Sequence, residues 1–322
     1  MPFPLVIKKF TKIGGIFLII LLSSFFVFLY FETKKLESLM KEIEKTIFFI
    51  QINSKKSPIT ESTPSPKENE TPFIEETPTP PTPEQKFIPH DDKLKNKEVV
   101  RLPILVYHHI DFLPVGASKE WQDLTVSPQT FEKQMKYLFE QNYRPITFRE
   151  FIDFIEKGKE IPENSLIITF DDGWKNQYTY AFPVLKKYKF PATFFIVVEQ
   201  IGGNLFMNWN ELKELLNNGM EIGSHTLTHP NLRQVTESQL VSEIKDSKTI
   251  LEQNLNCQIE VFAYPYGIFD SKIIEVVRES KYKAARTILG GLDQNVKNMY
   301  SLRVIQIYDS LDQFKKIFPP LK

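Results

Sequence analysis

Hydrophobic and polar positions divide the chain into four stretches before any single residue is considered. Residues 13–31 carry no charge and are almost wholly apolar, ending in Phe28-Leu29-Tyr30-Phe31. A run of about 19 residues at roughly 1.5 Å each spans about 28 Å as a helix, close to the hydrocarbon thickness of a bilayer. It is long for the core of a cleaved signal, and bulky side chains stand where a small-residue cleavage site belongs. It therefore reads as a transmembrane anchor after a short tail, residues 1–12. Lys8, Lys9 and Lys12 precede it and Lys34, Lys35, Lys41 and Lys45 follow it, so flanking positive charge does not orient it. In residues 32–53, Leu36, Met40, Ile43, Ile47 and Ile50 recur at alternating spacings of four and three. That is a short heptad seam, read as a helical stalk compatible with a weak dimer.

Residues 54–97 lose the pattern. They are rich in Pro, Thr, Glu, Ser and Lys, with Thr63-Pro64-Ser65-Pro66 and Thr77-Pro78-Thr79-Pro80-Pro81-Thr82-Pro83. Too little apolar surface is available to offset the entropy of ordering, so this stretch reads as a disordered, extended linker. Roughly 40 residues at about 3 Å each would reach on the order of 100 Å.

Residues 98–322 restore the alternation of a folded domain. Short apolar runs predict strands at Ile104–Tyr107, Leu166–Phe170, Ala192–Val198, Met220–Ile222, Ile259–Ala263 and Leu302–Ile307, with helical patterns between them. Phe131, Met135, Leu138 and Phe139 share one helix face, and Thr147-Phe-Arg-Glu150 and Thr236-Glu-Ser-Gln239 read as capping boxes that open helices. Continuous apolar strands alternating with helices predict an α/β domain with a parallel sheet, closed as a barrel and carrying functional residues at the strand ends.

Composition adds two exclusions. With 40 basic and 40 acidic side chains the net charge is +0, so nothing favours a nucleic-acid partner. The single cysteine, Cys257, permits neither an intramolecular disulfide nor a cysteine metal cluster.

The chemistry concentrates after strands. Leu166-Ile-Ile-Thr-Phe-Asp171-Asp172-Gly173 ends an apolar strand in two carboxylates, which the alternation of a strand can direct to different tasks. Glu221-Ile-Gly-Ser-His225-Thr-Leu-Thr-His229-Pro places two imidazoles at i and i+4, on one face if the segment makes a helical turn. Of the five histidines, two lie in this pair, two are adjacent in Tyr107-His108-His109, and His90 lies in the linker. One carboxylate with two imidazoles makes three protein ligands and leaves a position for water, as at a catalytic divalent metal. The other aspartate is then free to act as a base.

These motifs carry a resemblance. Together with Pro103-Ile-Leu-Val-Tyr-His-His-Ile110, Pro191-Ala-Thr-Phe-Phe195 and Phe262-Ala-Tyr-Pro-Tyr-Gly267, the domain resembles the NodB-homology polysaccharide deacetylases, carbohydrate esterase family 4. The resemblance implies a distorted (β/α)7 barrel in which Asp172, His225 and His229 bind a divalent metal, usually zinc. It makes Asp171 the general base and lets the Tyr266 backbone N–H assist at the oxyanion. Two positions depart from the common pattern. Ala263 stands where many members have an arginine that orients the base, and no histidine follows His229 to serve as the acid. The subgroup acting on poly-β-1,6-N-acetylglucosamine is similar in lacking that histidine, and there a Tyr-His pair near the domain start supplies the acid. The likeness assigns this role to His108, with His109 second. Arg286 and Arg303 are both candidates for the missing arginine, and Trp174, Trp209 and Tyr264 for sugar-stacking faces.

The expected function is thus removal of acetyl groups from an N-acetylated extracellular polysaccharide by a single-pass protein with its catalytic domain outside the cell membrane. Peptidoglycan or chitin-like oligomers are alternative substrates, and an inactive sugar-binding module of the same fold is the alternative function. Two imidazoles and a carboxylate also make the facial triad of iron oxygenases, where a second adjacent aspartate has no evident use.

Overall fold

A computed structural model of the chain describes residues 87–88 and 98–321. The anchor expected at 13–31 and the dimerising stalk at 32–53 lie outside the described residues, as does most of the linker. Among the described residues, no helix is long and apolar enough to cross a membrane. Phe87–Ile88, inside the segment read as linker, pair antiparallel with Ile161–Pro162.

Seven parallel strands form the body of the domain: β1 (Ile104–Tyr107), β2 (Ser165–Phe170), β3 (Thr193–Ile196), β4 (Glu221–Ser224), β5 (Val261–Ala263), β6 (Ala284–Gly290) and β7 (Leu302–Gln306). Each pairs with the next, and β7 pairs back onto β1 through Ile305 opposite Leu105, so the sheet closes. Among the described residues, seven α-helices of seven or more residues accompany it: α1 (Pro128–Glu140), α2 (Phe148–Lys157), α3 (Phe182–Tyr188), α4 (Trp209–Asn217), α5 (Glu237–Leu255), α6 (Ser271–Glu279) and α7 (Leu311–Ile317). Both expected capping boxes are formed, at Thr147 of α2 and Thr236 of α5. Phe131, Met135 and Leu138 are buried on α1.

The barrel is uneven. A single residue pair, Ser224 opposite Phe262, joins β4 to β5. Between β6 and β7 a bulge shifts the register, so that Arg286 faces Leu302 but Gly290 faces Val304.

Side chains separate by parity into two apolar clusters. Leu105, Tyr107, Ile168, Phe170, Phe194 and Phe262 face the helices. Ile104, Val106, Ile167, Phe195, Val261, Ala263 and Ala284 face inward and pack with Phe148 and Phe151 of α2. Because successive residues alternate, the inward set continues past the strand ends to His108 after β1, Asp171 after β2 and His225 after β4. Gly223 is required within this interior, since a Cβ there would lie 2.5 Å from the Phe195 ring.

At the opposite, starting end of β4, the Glu221 carboxylate accepts the Phe148 and Arg149 N–H groups that open α2, and the Thr193 hydroxyl. Burial pushes its pKa up. It ties α2 to the barrel and takes no part in the chemistry at the other end.

Candidate active site

Asp171 is buried, and its N–H extends the β1–β2 ladder by donating to the Tyr107 carbonyl at 3.0 Å. Its Oδ1 accepts from Nη2 of Arg286, which is also buried, and its Oδ2 lies 3.5 Å from His108 Nε2. Burial lowers the Arg286 pKa only to about 9, so the guanidinium stays charged at neutral pH and Asp171 faces a cation. The Arg286 guanidinium carbon also sits 4.9 Å from the centre of the Phe195 ring. Arg303 instead donates to the Gly290 carbonyl at an exposed position. Of the two arginines left open by the sequence, the structure therefore brings Arg286 to Asp171.

Asp172 turns the other way. Its φ of 70° places it in the left-handed region, which lets adjacent carboxylates diverge. One oxygen accepts from Trp174 Nε1 at 2.9 Å, while Oδ1 lies 3.6 Å from both His225 Nε2 and His229 Nε2. One donor atom from each of the three residues falls within 4.8 Å of the others. Ligands about 2.0–2.1 Å from a tetrahedral cation are separated by roughly 3.3 Å, so the spacing suits a single ion.

The imidazoles are not on a helical turn, the condition under which the i, i+4 spacing would have aligned them. His225 follows directly on β4, and Thr226 and His229 both adopt left-handed φ, 72° and 63°. The Thr226 hydroxyl accepts the His229 N–H at 2.9 Å. Glu243 of α5 accepts the Leu227 and Thr228 N–H groups and the Thr228 hydroxyl. These interactions fold the segment into a loop that returns His229 to the same point. The His225 Nδ1–H donates to the Ala263 carbonyl at 2.8 Å, which leaves Nε2 as the free donor atom.

Burial lowers the pKa of His225 to about 4, and that of His229 less far, so both are neutral at pH 7. Burial opposes ionisation of Asp172, yet its pKa lies below the usual value, because any proton in the cluster is shared with the facing imidazoles and the Trp174 N–H favours the carboxylate. Neutral imidazoles with an ionised carboxylate are the state that binds a divalent cation. The donor set thus fits a metal.

His108 is also neutral at rest. Burial brings its pKa to about 4 against the pull of Asp172, with Arg286 lowering it further. His109 is packed 4.0 Å from the Trp121 ring and 4.4 Å from the Trp174 ring, with Nδ1 3.2 Å from the Asn176 amide. It faces these partners, whereas His108 faces Asp171. Tyr266 has a left-handed φ of 56°, and its exposed ring stands edge-on to His229 at 4.7 Å. Tyr264 is buried with its hydroxyl on the Tyr300 carbonyl, so it offers no sugar face, and Trp209 is half-buried against the core. Trp174 alone of the three aromatic candidates adjoins the site.

A closed parallel barrel with a metal-type donor set and a buried carboxylate–imidazole pair at its strand ends defines a hydrolase-like centre. The family model described as "Polysaccharide deacetylase" matches residues 158–285. The chain is 33% identical over 213 residues to the poly-beta-1,6-N-acetyl-D-glucosamine N-deacetylase of Staphylococcus aureus (strain MRSA252), covering 59% of this chain and 73% of that protein. Among solved structures, the Streptococcus pyogenes deacetylase PplD in complex with acetate aligns with a TM-score of 0.64 at 26% identity, over 69% of this chain and 99% of that one. IcaB from Ammonifex degensii aligns with a TM-score of 0.56 at 25% identity, over 67% and 94%. The chain belongs to the polysaccharide deacetylase family.

Proposed function

We propose that the chain is a zinc-dependent N-deacetylase of poly-β-1,6-N-acetylglucosamine, anchored in the cell membrane by residues 13–31 with its barrel outside. The observation that carries this is the convergence of Asp172, His225 and His229 beside the Asp171–His108 pair. The substrate follows the S. aureus relative, whose name states that activity, and the Tyr107-His108 pair at the first strand end.

When bound by Asp172, His225 and His229, a divalent cation supplies Lewis-acid polarisation of the acetyl carbonyl and lowers the pKa of water. Asp171, paired with Arg286, removes a proton as water attacks the amide carbon. His108 is neutral at rest and must gain a proton before it can act as an acid. The proton taken by Asp171 is the nearest source, across the 3.5 Å gap between Oδ2 and Nε2. As the carbon–nitrogen bond breaks, His108 delivers that proton to the amine, which would be a very poor leaving group as an anion. Acetate and a glucosamine unit result. The Tyr266 N–H, on the turn beside His229, is the assigned oxyanion donor.

The test is acetate release by the purified full chain from β-1,6-linked oligomers, compared with chitin oligomers, peptidoglycan and acetylated xylan. Turnover confined to the β-1,6 polymer supports the reading, and turnover only on another polymer replaces the substrate. A full rate in Asp171→Asn or His108→Ala removes that residue's role. No acetate from any polymer with metal-loaded protein refutes the enzyme and favours a sugar-binding module.

A further inference from the structure

We infer that Gln177 is a positioning residue that fixes the distance between His108 and Asp171. Gln177 is fully buried six residues beyond Asp171, and the reaction scheme gives it no part. Its Nε2 donates to two carbonyls, that of His108 at 2.7 Å and that of Asp171 at 2.5 Å. These are the backbone oxygens of the two residues whose side chains face one another. The last β1–β2 register pair is Tyr107 opposite Phe170, and the ladder ends with the Asp171 N–H on the Tyr107 carbonyl, so the His108 and Asp171 carbonyls are the first beyond the sheet's own hydrogen bonds. The Gln177 amide replaces the missing rung.

The chemistry of the contact is restrictive. Joining two carbonyl oxygens through one atom requires two hydrogens on that atom, which an amide nitrogen has and a hydroxyl lacks. Both partners being acceptors also fixes which way the amide faces, and Oε1 is left with no hydrogen-bond partner among the described residues. The backbone is shaped to present this side chain: Gln177–Ala181 is a π-helical turn, with the Phe182 N–H donating to the Gln177 carbonyl. Such turns occur mostly as single insertions, frequently at functional sites. Gln177 makes no hydrogen bond to the side chains of Asp172, His225 or His229, so its effect is separable from metal binding.

This inference rests on the roles proposed for Asp171 and His108. It predicts that Gln177→Leu, close in volume but without donors, lowers kcat by about 10²-fold with KM nearly unchanged, the scale expected for a misplacement of roughly 1 Å. Zinc affinity, read by competition with a chromophoric chelator, should equal that of the wild type. Gln177→Glu supplies a second signature. Its carboxylate repels both carbonyls at neutral pH, whereas its protonated form donates to one. Its activity relative to wild type should therefore rise as pH falls. If Gln177→Leu does not fold, Gln177→Asn, one methylene too short to span both oxygens, is assayed in the same way. Wild-type kcat in whichever of the two variants folds, or a loss of kcat matched by a loss of zinc affinity, overturns the inference. If Asp171→Asn and His108→Ala are inactive while Gln177→Leu is normal, the inference fails and the scheme stands. A fully active Asp171→Asn fails the scheme itself.

Discussion

Replacing Arg286 by methionine tests the electrostatic centre of the site most directly. Arg286 and Asp171 are both almost fully buried and directly paired, so the substitution strands a carboxylate in a low-dielectric interior. Breaking such a pair costs about 3–5 kcal/mol. For a domain of this size, each kcal/mol lowers Tm by about 2–4 °C, so the loss should be on the order of 10 °C by calorimetry. Without its cation, the buried carboxyl is driven toward its protonated form, so under the role proposed for Asp171 kcat should fall by about 10² or more. Stability and activity then separate in the double variant. Asp171→Asn combined with Arg286→Met leaves no orphan charge and should regain much of the lost Tm while staying inactive. Arg286→Lys should not rescue activity, because a point ammonium cannot reproduce the guanidinium's planar contact with both the carboxylate and the Phe195 ring. A Tm within about 2 °C of wild type in Arg286→Met, with kcat retained, would refute the pairing.

Two further outcomes are expected. Glu243→Ala removes the acceptor that folds the loop between the two imidazoles, so zinc affinity should fall by about 10- to 100-fold, the usual weight of partners that orient ligands. Glu243→Gln, which keeps one carbonyl acceptor, should lose less, and unchanged affinity in the alanine variant would show that the loop holds without it. For the metal itself, zinc added to chelator-treated protein at about 100 times its Kd should stabilise by about 2.7 kcal/mol, or roughly 5–10 °C in Tm. That shift should vanish in Asp172→Asn, and its persistence there would place the ion elsewhere.

Much of this site was legible because barrel chemistry follows a simple rule. An apolar strand with its inward parity fixed by packing delivers the next inward side chain to the mouth, and Asp171, His108 and His225 all obey it. The divergence of Asp172 from Asp171 was legible in outline, though not its cause, a left-handed backbone that sequence alone does not announce at an aspartate. For the imidazole pair, the i, i+4 spacing left a helical turn open, and the structure takes another path. Glu243, distant in sequence, takes up the N–H groups that a helix would have used and makes a loop instead.

The larger omission has one physical origin. Ala284-Ala-Arg-Thr-Ile-Leu-Gly290 was not expected to be a strand, because it begins with two small residues and then places a charge where an interior strand should be apolar. That charge is the strand's function. Ala263 and Arg286 are register partners on adjacent strands, and Ala263 occupies the position at which the resemblance leads one to expect an arginine. With no side chain beyond Cβ on β5, the interior has room for a guanidinium arriving from β6, and it reaches the same carboxylate. The bulge that follows Arg286 releases the rest of β6 from strict pairing, so Ile288 and Leu289 run out to the surface while Arg286 stays buried. The overlooked strand and the open choice between Arg286 and Arg303 therefore share one cause: a buried charge cancels the apolar signal that marks a strand, and only its partner across the barrel, Asp171, explains why it is there.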